Sequence, residues 1–187
     1  MTAGDVLDLA EGVIDRAAST ERPQPNIAII RMPDTASSID KAGFVIVADQ
    51  LNDPGNLGTI LRSSEAAGVD AVVLTPGSVD PFNPKVVRAS AGALFHVPVI
   101  EATLDDVRAA GLRLIGTSSH RGERHVDTDW SGRVAVVLGS EAHGLADDAP
   151  MDGWVRIEHR GRAESLNVAM AATILVFEAA RQRGVRR

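Results

Sequence analysis

Apolar residues fall along this chain in two rhythms, unbroken short runs and helical stripes, and from residue 43 onward the two take turns. FVIVAD after Gly43 is a continuous apolar run ending in Asp49, the pattern of a strand buried on both faces. The turn DPGN then leads into a stripe of Leu57, Ile60 and Leu61, which predicts a helix ending near Gly68. Ala71 to Leu74 reads as the next strand, Pro84 to about Ala91 as a helix, and Val97 to Ile100 as a short strand. Thr103 to Ala110 reads as a helix with Thr103 as its cap, followed by strands at LRLIGTS from Leu112, at Val134 to Leu138, and at WVRIEH. The count is about six strands and five helices without an internal repeat. Strand, helix and strand in alternation predict an α/β fold: a mostly parallel sheet with right-handed crossovers and helices on both faces. In such sheets ligands bind in the loops at the carboxyl ends of the strands, where Asn52, Asp53, Asn56 and Arg62 follow the first run.

The first forty residues read differently. Val6, Leu9, Val13, Ile14 and Ala17 form a helical stripe over residues 3–18, STERPQPN is a proline-bearing connector, IAIIR from Ile27 is a strand candidate, and MPDTASSIDKAG is loop or weak helix. One helix and one strand are too few for an independent core. Residues 1–40 are therefore expected to be an appendage, or the remnant of a substrate-binding domain with its linker, and residues 41–187 the main domain.

At the other end, GRAESLNVAMAATILVFEAA (residues 161–180) passes from a polar loop with Glu164, Ser165 and Asn167 into a segment apolar on every side until Glu178 and Arg181. A helix with no polar face is expected to be covered on both sides, by its own domain or by a second subunit.

Composition narrows the function. Of 187 residues 44 % are hydrophobic and 3 % aromatic, so Ala, Val, Leu and Ile carry the core, as in parallel strands packed under helices. Cysteine is absent, which excludes disulfides and thiolate metal sites. With no apolar run long enough for a membrane span, the chain reads as soluble and cytoplasmic. A net charge of −6 argues against an indiscriminate grip on polyanions, but the charge is uneven. Acidic residues gather before residue 22 and over Asp147 to Asp152, while Arg156, His159, Arg160 and Arg162 crowd the loop before Ser165, and Arg121, Arg124 and His125 form a second basic cluster.

Several chemistries are excluded. GNLGTILR lacks the lysine of a P-loop, and no G-x-G-x-x-G follows a strand. The five histidines lack metal-ligand spacing, so no metal is expected, and there is no G-x-S-x-G nucleophile elbow. What the chain does repeat is a strand followed by a loop rich in Gly, Asn, Ser and Glu, in NDPGNLGTILR, VLGSEAHGL and IEHRGRAESLNVA.

In that order, with KVVRASAGALFHVPV between the first two, these segments resemble the three motifs of the SpoU (TrmH) family of RNA ribose 2′-O-methyltransferases in the SPOUT superfamily. The resemblance covers roughly Ala42 to the C-terminus. It implies a C-terminal trefoil knot, a homodimer packed through the C-terminal helix, and S-adenosylmethionine held by loops at Thr117, Gly139, Ile157 and Leu166, largely through backbone groups. Glycine at 139 suits close approach of backbone to a ligand. Arg62 matches the family's proposed catalytic arginine; because a guanidinium stays protonated, stabilising the developing alkoxide and gripping a neighbouring phosphate is the role expected of it. Asn56 and Glu141 are expected to orient Arg62 and the loops, Ser165 and Asn167 to position ribose or cofactor, and Arg160 and Arg162 to join Arg62 in contacting RNA.

Two departures stand out. Many relatives carry Pro-Met after the isoleucine of the third motif, where this chain has Glu158 and His159, and larger members carry a full N-terminal RNA-binding domain. The linker and first motif look closer to members acting on large-subunit (23S) rRNA than to tRNA enzymes. A cofactor-binding or RNA-binding homologue without catalysis, and a methyltransferase acting on a small molecule or protein, are the competing expectations.

Overall fold

Phe44–Ala48 is apolar at every position, and all five residues are buried at the middle of a sheet. The structure is a computed structural model that describes residues 6–18, 22–30 and 39–184. It divides into two compact units, Met1–Met32 and Pro33–Arg187. In chain order the elements are α1 (Val13–Ala17), β1 (Phe44–Ala48), α2 (Pro54–Ala67), β2 (Ala71–Leu74), α3 (Pro84–Ala89), β3 (Val99–Glu101), α4 (Leu104–Ala109), β4 (Arg113–Thr117), β5 (Glu123–Arg124), β6 (Val134–Leu138), β7 (Gly153–Arg156) and α5 (Val168–Arg183). Single 3₁₀ turns lie at Ile39–Lys41 and Ala93–Phe95.

The seven strands run parallel in the order β3-β2-β1-β6-β4-β7-β5. From β1 the chain steps outward through β2 to β3, then crosses to β4 on the other side, so the order reverses between β1 and β6. These two strands pair over their full length, from Phe44 with Val134 to Ala48 with Leu138. Their alternate residues face opposite layers. Ile46, Ala48, Val136 and Leu138 pack with Leu57, Ile60 and Leu61 of α2 and Leu175 and Val176 of α5. Val45, Val47, Ala135 and Val137 pack with Leu114, Val107 of α4, Ile39 and Ala42. Each large aliphatic side chain taken fully out of water here contributes about 1.5–3 kcal/mol.

The helix boundaries follow local chemistry. Asp53 caps α2 by accepting from Asn56 N at 2.7 Å, Pro54 occupies the first turn, and Gly68 ends the helix at φ 73°. Thr103 and Asp106 cap α4 reciprocally, and Asn167 caps α5 by accepting from Ala169 N and Met170 N. Gly58 lies where α2 meets α3: a Cβ there would stand 2.4 Å from Ala89 Cβ and 2.9 Å from Ser90 N. Alanine for glycine ordinarily stabilises a helix interior by about 1 kcal/mol. Here overpacking reverses the sign, and Gly58→Ala is expected to lower stability by about 1–3 kcal/mol in urea unfolding; an unchanged or raised midpoint would show that α3 gives way freely.

Two expectations need correction. The helix expected over residues 3–18 is confined to Val13–Ala17, because Gly12 takes a left-handed φ of 76° that breaks the helix, and Val6, Leu7 and Leu9 are exposed. Within IAIIR the described residues Ile27–Ile30 form no strand, since no strand among the described residues pairs with them, and Ile29 is 99 % exposed. The final helix, expected to be covered on both sides by its own domain or by a second subunit, is covered by its own domain on one face: Ala169, Ala172, Leu175, Val176 and Ala179 are buried, while Met170, Ile174 and Phe177 are exposed. The seventh strand is β5, two residues that composition does not distinguish from a loop. Residues 3–5 of the expected first helix, residues 19–21 at the start of the connector, and residues 31–38 of the loop before β1 lie outside the described residues. No helix among the described residues is long and apolar enough to cross a membrane.

Candidate functional site

Because every strand points the same way, the loops after β1, β4, β6 and β7 emerge at one edge of the sheet. The first contact there joins segments far apart in sequence. Glu141, in the loop after β6, accepts from Asp53 N at 3.0 Å, Asn52 N at 3.3 Å and Asn56 Nδ2 at 3.0 Å. Asn56 Oδ1 in turn accepts from Asn167 Nδ2 at 3.0 Å, while Asn167 Oδ1 caps α5. One carboxylate and two amides therefore tie the starts of α2 and α5 to the β6 loop. Partial removal from water pushes the Glu141 carboxyl up, but the hydrogen bonds from Asn56 and the backbone together outweigh it and hold the group below its ordinary value.

A carboxyl with a depressed folded pKa stabilises above its unfolded value of about 4.3 and loses that contribution as pH falls through the folded value. Wild type is therefore expected to be more stable than Glu141→Gln at neutral pH, with the gap closing in acid below about pH 4. Unfolding curves of both proteins from pH 7 to pH 3 check this, and a gap independent of pH would remove the charge from the argument.

Beside the network lies a cleft of about 630 Å³. Thr117, Gly139, Ile157 and Leu166, the four positions expected to hold a cofactor, all line it, together with Glu141, Ser165 and Asn167. Thr117 is held by its own hydroxyl, which donates to Val137 O at 3.0 Å. The loop after β6 folds back on itself, with a bridge between Ser140 and Gly144. A Cβ at position 139 would sit 2.2 Å from Gly144 C and 2.3 Å from Leu145 N, so the close approach that requires glycine there is to the loop's own backbone.

The opposite wall contains residues that sequence reasoning passed over. The Arg121 guanidinium lies 3.5 Å from the centroid of the Trp154 ring, and Nη2 donates to Asp147 O at 3.1 Å. His159, which with Glu158 stands where many relatives carry Pro-Met, also lines the cleft, with Nε2 buried and unpartnered. Glu158 lies 3.6 Å from Arg124, which bonds Asp127 at 2.5 Å, and Arg156 donates to Gly122 O. Arg121, Arg124 and Arg156 thus brace the loops, although sequence showed them only as members of basic clusters. Arg160 and Arg162 are exposed, and no hydrogen bond or ion pair engages them among the described residues.

Arg62 is not brought to this cleft. It is exposed, without a hydrogen-bond or ion-pair partner among the described residues, so neither Asn56 nor Glu141 orients it directly. It lines a second groove of about 570 Å³ with Thr59, Ser63 and His96, and with Phe177 from the uncovered face of α5. No group of three or more His, Asp or Glu side chains among the described residues is placed to hold a metal ion.

Comparison with known proteins identifies the family. A family model described as the SpoU rRNA Methylase family matches residues 43–177. The 23S rRNA (guanosine(2553)-2′-O)-methyltransferase RlmP of Bacillus subtilis is 37 % identical over 177 residues, covering 90 % of this chain and 70 % of its own length. An rRNA methyltransferase from Sinorhizobium meliloti, solved with AdoMet bound, superposes with a TM-score of 0.70 at 37 % identity over 76 % of this chain and 57 % of that one. An RNA methyltransferase of the TrmH family from Porphyromonas gingivalis gives 0.78 at 31 % identity over 95 % of this chain and 75 % of its own. Across such curated relatives the chain spans between 59 % and 70 % of their length.

Proposed function

Because this chain belongs to the SpoU rRNA Methylase family, we propose that it is an S-adenosylmethionine-dependent RNA ribose 2′-O-methyltransferase acting on large-subunit rRNA. The observation that carries the reading is the convergence of Thr117, Gly139, Ile157 and Leu166 on one cleft at the carboxyl edge of the sheet.

The residues present fit the cofactor. The cleft's volume falls within the range of about 300–1,000 Å³ typical of small-molecule sites. Leu138, Ile157, Leu166 and Leu175 supply apolar walls, and the unpartnered His159 Nε2 awaits a polar ligand atom. When bound, S-adenosylmethionine supplies an electrophilic methyl group on a sulfonium. The chain's own residues do the rest. Asn56, Glu141 and Asn167 fix the loops, so that Ser165 and the Asn167 amide meet the ribose at a set position. Arg62, permanently charged and free of partners, stabilises the oxygen as it loses its proton and holds the adjoining phosphate. Arg160 and Arg162 extend that contact along the RNA backbone.

The same reading makes the protein a cytoplasmic homodimer. Met170, Ile174 and Phe177, 63 %, 38 % and 48 % exposed, recur at helical spacing on the outer face of α5, and Phe177 also lines the Arg62 groove. A second copy packed on that face places Arg62 at the interface. Arg183 donates to Trp130 O at 2.6 Å and Gly132 O at 2.8 Å, holding the end of α5 against the loop before β6, and by this reading the C-terminal segment is knotted. By this reading residues 41–187 form the methyltransferase domain, and residues 1–40 are an appendage to it.

The test is incubation with methyl-labelled cofactor and total RNA, followed by mapping of alkali-resistant linkages. Label is expected in large-subunit rRNA. Label in tRNA would move the substrate assignment, and cofactor binding without transfer to any RNA would establish a non-catalytic homologue instead.

A further inference from the structure

Arg121 is the sole lysine or arginine among the described residues that line the cleft. Its position is set by stacking more than by ion pairing. The guanidinium rests 3.5 Å from the Trp154 centroid, and the Trp154 ring is seated where a Cβ at Gly116 would come within 2.9 Å of Cζ3. Its acidic neighbour is weak: the Asp147 carboxylate is 3.7 Å away on a fully exposed side chain, where water screens the pair. A guanidinium has five N–H donors, and the bond to Asp147 O uses one of them. The cleft therefore holds a cation fixed in place with most of its hydrogen-bonding capacity unspent.

The remaining charges set its complement. Asp147 and Glu164 line the cleft as carboxylates, and Glu141 lies at its edge. S-adenosylmethionine carries two positive centres, the sulfonium and the ammonium, and one negative centre, the carboxylate of its amino-acid moiety. The acidic residues complement the first two, and Arg121 alone complements the third. A carboxylate taken out of water needs a cation or several N–H donors, and a guanidinium offers both in a two-pronged geometry. We infer that Arg121 receives the α-carboxylate of the bound cofactor, so that the cleft recognises the amino-acid moiety as well as the nucleoside; this rests on the cofactor reading above.

Calorimetric titration of the whole chain with three ligands tests it. S-adenosylmethionine and S-adenosylhomocysteine carry the carboxylate, and 5′-methylthioadenosine lacks the entire amino-acid moiety. Arg121→Gln is expected to weaken the first two by about ten- to hundredfold and to leave methylthioadenosine unchanged. Arg121→Lys, which keeps the charge but loses the fork, is expected to fall between. Equal losses for all three ligands in Arg121→Gln would overturn the assignment and leave Arg121 as a support for Trp154, as would no loss at all. A wild-type chain that binds none of the three would remove the cofactor reading itself, and the role of Arg121 with it.

Discussion

Replacing Arg62 by alanine is expected to lower methyl transfer by about a hundred- to a thousandfold, while S-adenosylmethionine binds the variant as it binds wild type. Arg62 lines a groove with Thr59, Ser63 and Phe177 and contributes nothing to the wall of the cofactor cleft. Nor does it hold the fold together, since no intrachain hydrogen bond or ion pair engages it among the described residues. An exposed, unpaired guanidinium is available to act on an incoming phosphate or alkoxide, where fixed charge has its largest effect on a transition state. Arg62→Lys is expected to recover only part of the loss, because an ammonium lacks the planar fork. Single-turnover transfer rates with a saturating cofactor, beside calorimetric affinities, separate the two quantities. A variant that binds cofactor poorly, or that transfers at wild-type rate, would displace Arg62 from this role.

Gly139→Ala is expected to act in the opposite place, on cofactor binding. A methyl group there would collide with Gly144 C at 2.2 Å and Leu145 N at 2.3 Å, both backbone atoms that cannot turn aside as a side chain would. The loop has to lift from β6. Since the same loop carries Glu141, lifting it draws on the bonds to Asn52, Asp53 and Asn56 and on the cleft wall together. Overpacking of this kind costs about 1–3 kcal/mol, which at the cleft corresponds to about a ten- to hundredfold loss of affinity. The body of the sheet should persist, because β1 and β6 pair below the loop, so circular dichroism close to wild type beside weakened binding is the expected combination. Unchanged affinity would mean that the loop plays no part in holding the ligand.

Both predictions rest on features with different visibility in sequence. Unbroken apolar runs at Phe44–Ala48 and Val134–Leu138 announced buried strands, and Thr103 announced a helix start, because strand burial and capping are decided within a few residues. The three loops could be picked out by their composition and order. Their convergence could not be measured from sequence: the bond between Asn56 and Glu141 spans 85 residues, and it exists only because β1 and β6 are neighbours. Periodicity overreached among the described residues before Val13 and at Ile27–Ile30, where the stripe and the run were real but Val6 and Ile29 are exposed.

Local order along the chain was sufficient to set the alternation of strands and helices, their caps, and the identity of the loops that carry polar groups, since each depends on side chains close together in sequence. Only the assembled fold decided that β1 lies between β2 and β6, that Gly139 is glycine because its own loop returns over it, that Arg62 faces a groove apart from the cleft, and that Arg121 stacks on Trp154. Those facts depend on which distant backbone segments occupy neighbouring space, and that follows from how all the apolar faces are buried at once rather than from any one stretch of residues.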